Sequence, residues 1–192
     1  MKEELKNSLI LDSYNYKAII GRKCWWHQIH TNPISDQYYI WKYIKTLRYS
    51  EYYLSKKNIW HKLMFMWGLH RLRKISRITG FQIPPGTIGP GITIWHWGPI
   101  IVNPAARIGK NCTLNPMVII GHKKPGEAAP QIGDNVFIGG GAKIIGAIHI
   151  GNNVTIAPNA VVVKDIEDNC IVGGIPCKVI GYNKKRHENP PY

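Results

Sequence analysis

Residues 131–162 read QIGDNVFIGGGAKIIGAIHIGNNVTIAPNAVV, and an aliphatic side chain returns there at every sixth position: Ile132, Ile138, Ile144, Ile150, Ile156 and Val162. On an α-helix six residues turn through about 240°, so these side chains would scatter round the cylinder instead of forming a stripe. Extended backbone behaves differently. Its side chains alternate between two faces, and an even period brings every repeat back to the same one. A second inward position falls four residues later, at Val136, Ala142, Ile148, Val154, Ala160 and Ile166. Each repeat thus supplies one large and one smaller core residue.

The same period runs back toward the N-terminus, through Ile88, Ile94 and Ile100 and then, in a new register, through Val102, Ile108, Leu114 and Ile120. Ala106, Cys112 and Val118 hold the second position there. Glycine follows the aliphatic at Gly89, Gly109, Gly121, Gly133, Gly139 and Gly151, and pairs such as Asp134-Asn135 and Asn152-Asn153 recur beside it. These residues tolerate the positive φ of tight corners. Short strands joined by such corners predict a solenoid whose stacked coils bury a continuous interior.

Two places break the period. From Ile94 to Val102 is eight residues, not six, which predicts a bulge at Trp95-His96-Trp97-Gly98. An irregular insert in a regular wall is where a reactive side chain can be aimed outward, so His96 is the leading catalytic candidate. Imidazole suits a general base that takes a proton from an attacking alcohol. The second break, Gly121 to Gln131, predicts a loop leaving the coil; it carries His122, Lys123 and Lys124.

The N-terminal 80 residues lack the repeat. Trp41, Ile44, Leu47 and Tyr49 suggest one amphipathic helix, and Ile59, Leu63, Met66, Leu69, Leu72 and Ile75 another. This segment holds 15 Lys or Arg against 5 acids, which is most of the formal charge of +14. Such a surface attracts any polyanion, whether nucleic acid, an anionic membrane or an acidic glycan. Arg71, Arg73, Lys74 and Arg77 also suit the C-terminal end of a helix, where its dipole favours cations.

An apolar content of 44% with 19% charged residues predicts a folded chain. No run approaches the ~20 apolar residues of a membrane-spanning helix, and no basic-then-apolar leader opens the sequence. Cytoplasmic location is the expectation, with peripheral contact at the inner membrane face left open by the basic segment. Cys24, Cys112, Cys170 and Cys177 form no CxxC pair and read as reduced thiols.

The repeat, together with Ile83-Pro84-Pro85-Gly86, the His96 segment and Gly174-Ile175-Pro176-Cys177-Lys178-Val179-Ile180, resembles the hexapeptide-repeat acyltransferases. The stretch from Ile83 to Tyr182 is similar to their serine acetyltransferase branch. The resemblance implies a mainly β fold: a left-handed parallel β-helix over residues 81–182, an α-helical cap over 1–80 and a tail over 183–192. It also implies transfer of acetyl from acetyl-CoA to a hydroxyl by direct attack, with His96 at the catalytic histidine's position. The donor would lie between neighbouring subunits of a homotrimer, against Gly140, Ala157 and Pro158, with Lys164 and Lys178 on its phosphates.

Two departures bear on the acceptor. Gln82 stands where those enzymes carry the aspartate that orients the histidine, and Ala128 and Ala129 stand where they carry arginine and histidine. Gln82 can hydrogen-bond an imidazole but cannot stabilise an imidazolium by charge. An acceptor other than free serine is therefore expected, and the resemblance to members with a short helical cap implies a sugar hydroxyl of a surface polysaccharide or its precursor, anionic or lipid-linked forms included. Trp95, Trp97 and His122 are its candidate contacts, since flat rings pack on sugar faces. Serine O-acetylation in cysteine biosynthesis is the alternative. A γ-carbonic-anhydrase-like zinc site would need closely spaced histidines, whereas His96, His122 and His149 lie 26 and 27 residues apart, so no metal is expected. A non-enzymatic β-helical scaffold such as an ice binder would need ranks of threonine that Thr87, Thr93, Thr113 and Thr155 do not form. Nucleic-acid binding has no motif to support it.

Overall fold

The computed structural model describes residues 2–30, 32 and 35–184. Four helices come first: α1 (Lys2–Ile20), α2 (Arg22–His30), α3 (Asp36–Leu54) and α4 (Ile59–Thr79). Fourteen short strands follow, from β1 (Phe81–Gln82) to β14 (Cys177–Tyr182). Their order in space is that of a coil with three flat sides. One sheet reads β1, β3 (Ile100–Val102), β6 (Ile119–Gly121), β9 (Lys143–Ile145), β12 (Val161–Val162). The second stacks β4 (Arg107–Ile108), β7 (Gln131–Ile132) and β10 (His149–Ile150). The third stacks β2 (Thr93–Ile94), β5 (Thr113–Leu114), β8 (Phe137–Ile138), β11 (Thr155–Ile156), β13 (Cys170–Gly174) and β14. All pairings are parallel except the closing β13–β14 hairpin, and the chain forms the left-handed β-helix with an N-terminal helical region.

The hexad aliphatics fill the interior. Ile94, Ile100, Leu114, Ile138, Ile144, Ile156 and Val162 are fully buried, as are Ala106, Cys112, Val118, Ala142, Val154 and Ala160 at the second position. Burial of each large side chain favours folding by ~1.5–3 kcal/mol. Corner residues explain themselves as well: Asn111, Asn135, Asn153, Asn159 and Asn169 all take positive φ, between 55° and 63°. At one corner glycine is obligatory for space, since a Cβ on Gly133 would lie 2.8 Å from the carbonyl carbon of Gly151 in the next coil.

A solenoid's first coil presents unpaired backbone groups, which must find partners if they are covered. Here the helices supply them. Tyr43 Oη donates to Ile83 O (3.0 Å) and accepts from Ile83 N (3.1 Å). Tyr16 does the same at Ile94, at 3.0 and 2.7 Å. Asp12 Oδ1 accepts from the amides of Gly91 and Ile92, while Arg48 donates to the carbonyls of Ile88 and Gly89. Arg48 and Asp12 also pair with each other at 2.8 Å, both buried. Burial alone lowers a guanidinium's pKa, but hydrogen bonds and charge from Asp12 and Glu51 outweigh it and the net direction is up.

The helical segment departs from the sequence expectation in two ways. It contains α1 and α2 in addition to the two helices read from periodicity; the apolar residues of α1 form only a weak stripe, and α2, with nine residues, is too short for its Trp25–Ile29 step to mark it as a helix. In α4 the expected apolar stripe is buried only at its C-terminal end, at Leu72 and Ile75, whereas Ile59, Leu63 and Met66 are 63%, 54% and 61% exposed. The helix packs on α3 through another face, Gly68 lying against Ser50 and His61 against Tyr53, and Ile59, Leu63 and Met66 fall on the opposite side of the helix.

Candidate active site

The bulge forms where the period predicted it. Thr93 pairs with Thr113 but Ile101 with Ile119, so the coil through His96 carries two extra residues between β2 and β3. Gly98 makes the turn possible: φ is 143°, and a Cβ there would fall 2.9 Å from Pro116 Cβ. Its amide donates to Thr79 O (2.8 Å), which ties the bulge to the end of α4.

The first turn of α3 completes the site. Ser35 caps this helix, its hydroxyl accepting from Gln37 N, and so fixes where the next residues point. Gln37 Nε2 donates to Trp95 O at 2.9 Å. Asp36 Oδ2 lies 3.3 Å from His96 Nδ1, and Tyr39 sits against Trp97 with ring centroids 5.6 Å apart. The His96 side chain is 71% exposed. With its proton on Nδ1 facing the carboxylate, Nε2 is left as an acceptor open to solvent, the arrangement a general base requires. A carboxylate at this distance also holds the ring and stabilises the imidazolium that proton transfer creates.

Asp36 was not legible as a site residue. Sixty positions separate it from His96, and only Ser35-Asp36-Gln37, a helix-start pattern, marks it locally. The residue to which the sequence reading gave its role, Gln82, makes no hydrogen bond to His96 among the described residues. It is exposed on β1 and lines a cleft of about 640 Å³ with Tyr43, Arg73, Asn103 and His122, while His96 occupies the corner between the third and first sheets. His122 is held in that cleft by Asn103, whose Nδ2 is 2.9 Å from His122 Nδ1. Trp95 is half-buried and Trp97 37% exposed, both beside His96. His149 is exposed on the second sheet, so the three spaced histidines stand on three separate parts of the coil.

Three of the donor candidates, Gly140, Ala157 and Pro158, lie on one edge of the prism. Residues 95–99, 115–118, 139–142 and 157–160 are successive turns of the corner that joins the third sheet to the first. Gly98 and Gly140 both abut Pro116, so His96 crowns the edge on which Gly140, Ala157 and Pro158 lie. Gly139 is demanded by packing, because a Cβ would meet Pro158 N at 2.5 Å. Gly140 is not: φ is unremarkable and a Cβ would approach Pro116 O at 3.4 Å, an ordinary contact. Lys178 pairs across the hairpin with Gly173, which packs on Ala157, whereas Lys164 is exposed on the turn after β12.

Residues 129–164 match the bacterial transferase hexapeptide (six repeats) family. A serine acetyltransferase of Synechococcus elongatus is 39% identical over 113 residues, covering 57% of this chain and 46% of its own length. One from Helicobacter pylori is 36% identical over 124 residues, covering 62% of this chain and 72% of its own length. This chain thus spans about half the length of several curated relatives and nearly three quarters of the Helicobacter one. Among solved structures, soybean serine acetyltransferase superposes with a TM-score of 0.73 at 24% identity, over 92% of this chain and 69% of that one. The Neisseria gonorrhoeae enzyme does so at 0.65 and 22%, over 96% and 67%. Sequence match and fold agree, and the chain belongs to the hexapeptide-repeat acyltransferases, in the branch that includes the serine acetyltransferases.

Proposed function

We propose that this chain is an acetyl-CoA-dependent O-acetyltransferase in which His96 is the general base and Asp36 orients it. The observation that carries the reading is the exposed imidazole on the bulge with the Asp36 carboxylate 3.3 Å from its Nδ1. The acceptor hydroxyl gives its proton to His96 Nε2 as its oxygen attacks the thioester carbonyl. The tetrahedral intermediate collapses with loss of CoA thiolate, which takes the proton back from the imidazolium, leaving an O-acetyl ester and free CoA. No covalent enzyme intermediate is needed.

The pantetheine arm would follow the edge below His96, past Gly140, Ala157 and Pro158, with Lys178 and Lys164 near the phosphates. Gly140 supports this use, since packing does not require a glycine there. Exposed Ile175, Val179 and Ile180 on the closing hairpin favour self-association, in keeping with a homotrimer.

Serine is the acceptor that the relatives support, since those named above are serine acetyltransferases and one solved neighbour, 25% identical, is described in complex with serine. A saccharide acceptor is favoured by different observations: the Trp97–Tyr39 aromatic pair flanks the base, and Ala128 and Ala129 offer no charge to an amino-acid carboxylate. Thiol release from acetyl-CoA, measured with free serine and with a panel of surface-polysaccharide fragments, separates the two. His96→Ala is expected to abolish turnover on whichever acceptor is used, by at least about a hundredfold. Asp36→Asn should lower kcat with little change in KM, and Gly140→Val should raise the KM for acetyl-CoA without altering the melting temperature. Full activity of His96→Ala would sink the reading.

A further inference from the structure

The first half of α4 is an apolar surface that the chain leaves uncovered. Trp60, Leu63, Met66 and Trp67 are 71%, 54%, 61% and 53% exposed, with Ile59 beside them at 63%. Burying such side chains elsewhere in this molecule is what holds it together, so five of them in water on consecutive turns call for a partner. The charge around them says which kind. All 21 residues of α4 include no acid, and Lys62, Arg71, Arg73, Lys74 and Arg77 give it five cations. Lys56 and Lys57 precede it, and the Arg71 guanidinium lies over the Trp67 ring at 4.6 Å.

Next to this face, between α3 and α4, is a groove of about 440 Å³ that shares Trp67 with it and is lined by Trp41, Lys42, Lys45, Met64 and Arg71. Aromatic walls with cations around them suit an acyl chain joined to an anionic headgroup. A second copy of the chain would bring two cationic helices together out of water, where like charges repel most strongly. A nucleic acid would use the cations and gain nothing from Leu63 and Met66. An anionic bilayer uses both, because tryptophan settles at the headgroup level, aliphatics below it, and each lysine or arginine near the surface adds to the attraction.

We infer that the exposed face of α4 docks the protein on an anionic phospholipid bilayer, with Trp60, Leu63 and Met66 inserted and the α4 cations on the headgroups. This goes beyond the proposed chemistry and does not depend on it.

The test is vesicle flotation of the full chain, using phosphatidylcholine alone or mixed with phosphatidylglycerol. Binding should be at least about tenfold tighter to the mixed vesicles. The triple variant Trp60→Ser, Leu63→Ser, Met66→Ser should lose at least about tenfold of it while keeping the parent's circular dichroism and melting curve, since these side chains are mostly exposed and none belongs to the core. Lys57→Gln with Lys62→Gln should weaken binding and reduce its salt dependence. Absence of binding to either vesicle overturns the proposal, as does equal binding by the serine variant. A mass that falls from a larger assembly to a smaller one in the serine variant, without vesicle binding by the parent, assigns the face to a second copy and likewise overturns it.

Discussion

Met117 shows what one residue contributes to a repeating wall. It sits at a coil corner with φ of 67°, where Asn159 and Gly141 occupy the equivalent place in later coils with φ of 58° and 75°. A left-handed conformation costs an L-residue with an ordinary side chain ~1–2 kcal/mol, and the Met117 side chain is 56% exposed and buries little in return. Met117→Asn is expected to raise stability by about 1 kcal/mol, read as an upward shift of the thermal midpoint. Asp36 and His96 make the complementary point: their pairing costs and gains little for the fold at an exposed surface, so conversion of Asp36 to Asn should be felt in kcat and not in the melting curve.

At the scale of elements, the contact that decides stability is between the helices and the first coil. Arg48→Ala would leave Asp12 charged, buried and without its cation, and is expected to cost about 3–5 kcal/mol in denaturant unfolding. The tyrosines make the same interface sensitive to alkali. Burial pushes the Tyr43 hydroxyl up to about 12 from an ordinary 10, and Tyr16 moves in the same direction for the same reason. In the folded state both keep their protons, which they donate to Ile83 O and Ile94 O, while the unfolded chain releases them near 10. This stability is fully present below pH 10 and is lost as pH rises toward 12, so the denaturant midpoint should fall over that window. Tyr43→Phe should be less stable at neutral pH and lose less on going alkaline.

The whole molecule is a stack with one guarded end. A chain beginning at residue 81 would expose the amides and carbonyls that Tyr16, Tyr43, Asp12 and Arg48 now satisfy. It is expected to associate further through that open coil, seen as light scattering that keeps rising with concentration beyond the assembly size of the full chain. The helical region therefore has three jobs on three faces: it closes the solenoid, it delivers Asp36 to His96, and on α4 it presents an apolar, cationic surface outward.

The β-helix was written in the sequence, because its period is local: each coil repeats the same side-chain requirement, so Ile132 to Val162 announce the wall without reference to anything distant. The bulge at His96 was legible for the same reason, as a local fault in that period. The partner of His96 was not. Asp36 reaches it from another element, and nothing in a helix start records what the completed helix will face. The exposure of Ile59, Leu63 and Met66 was hidden likewise, since a three- and four-residue period fixes which side chains share a face and leaves to packing whether that face is covered.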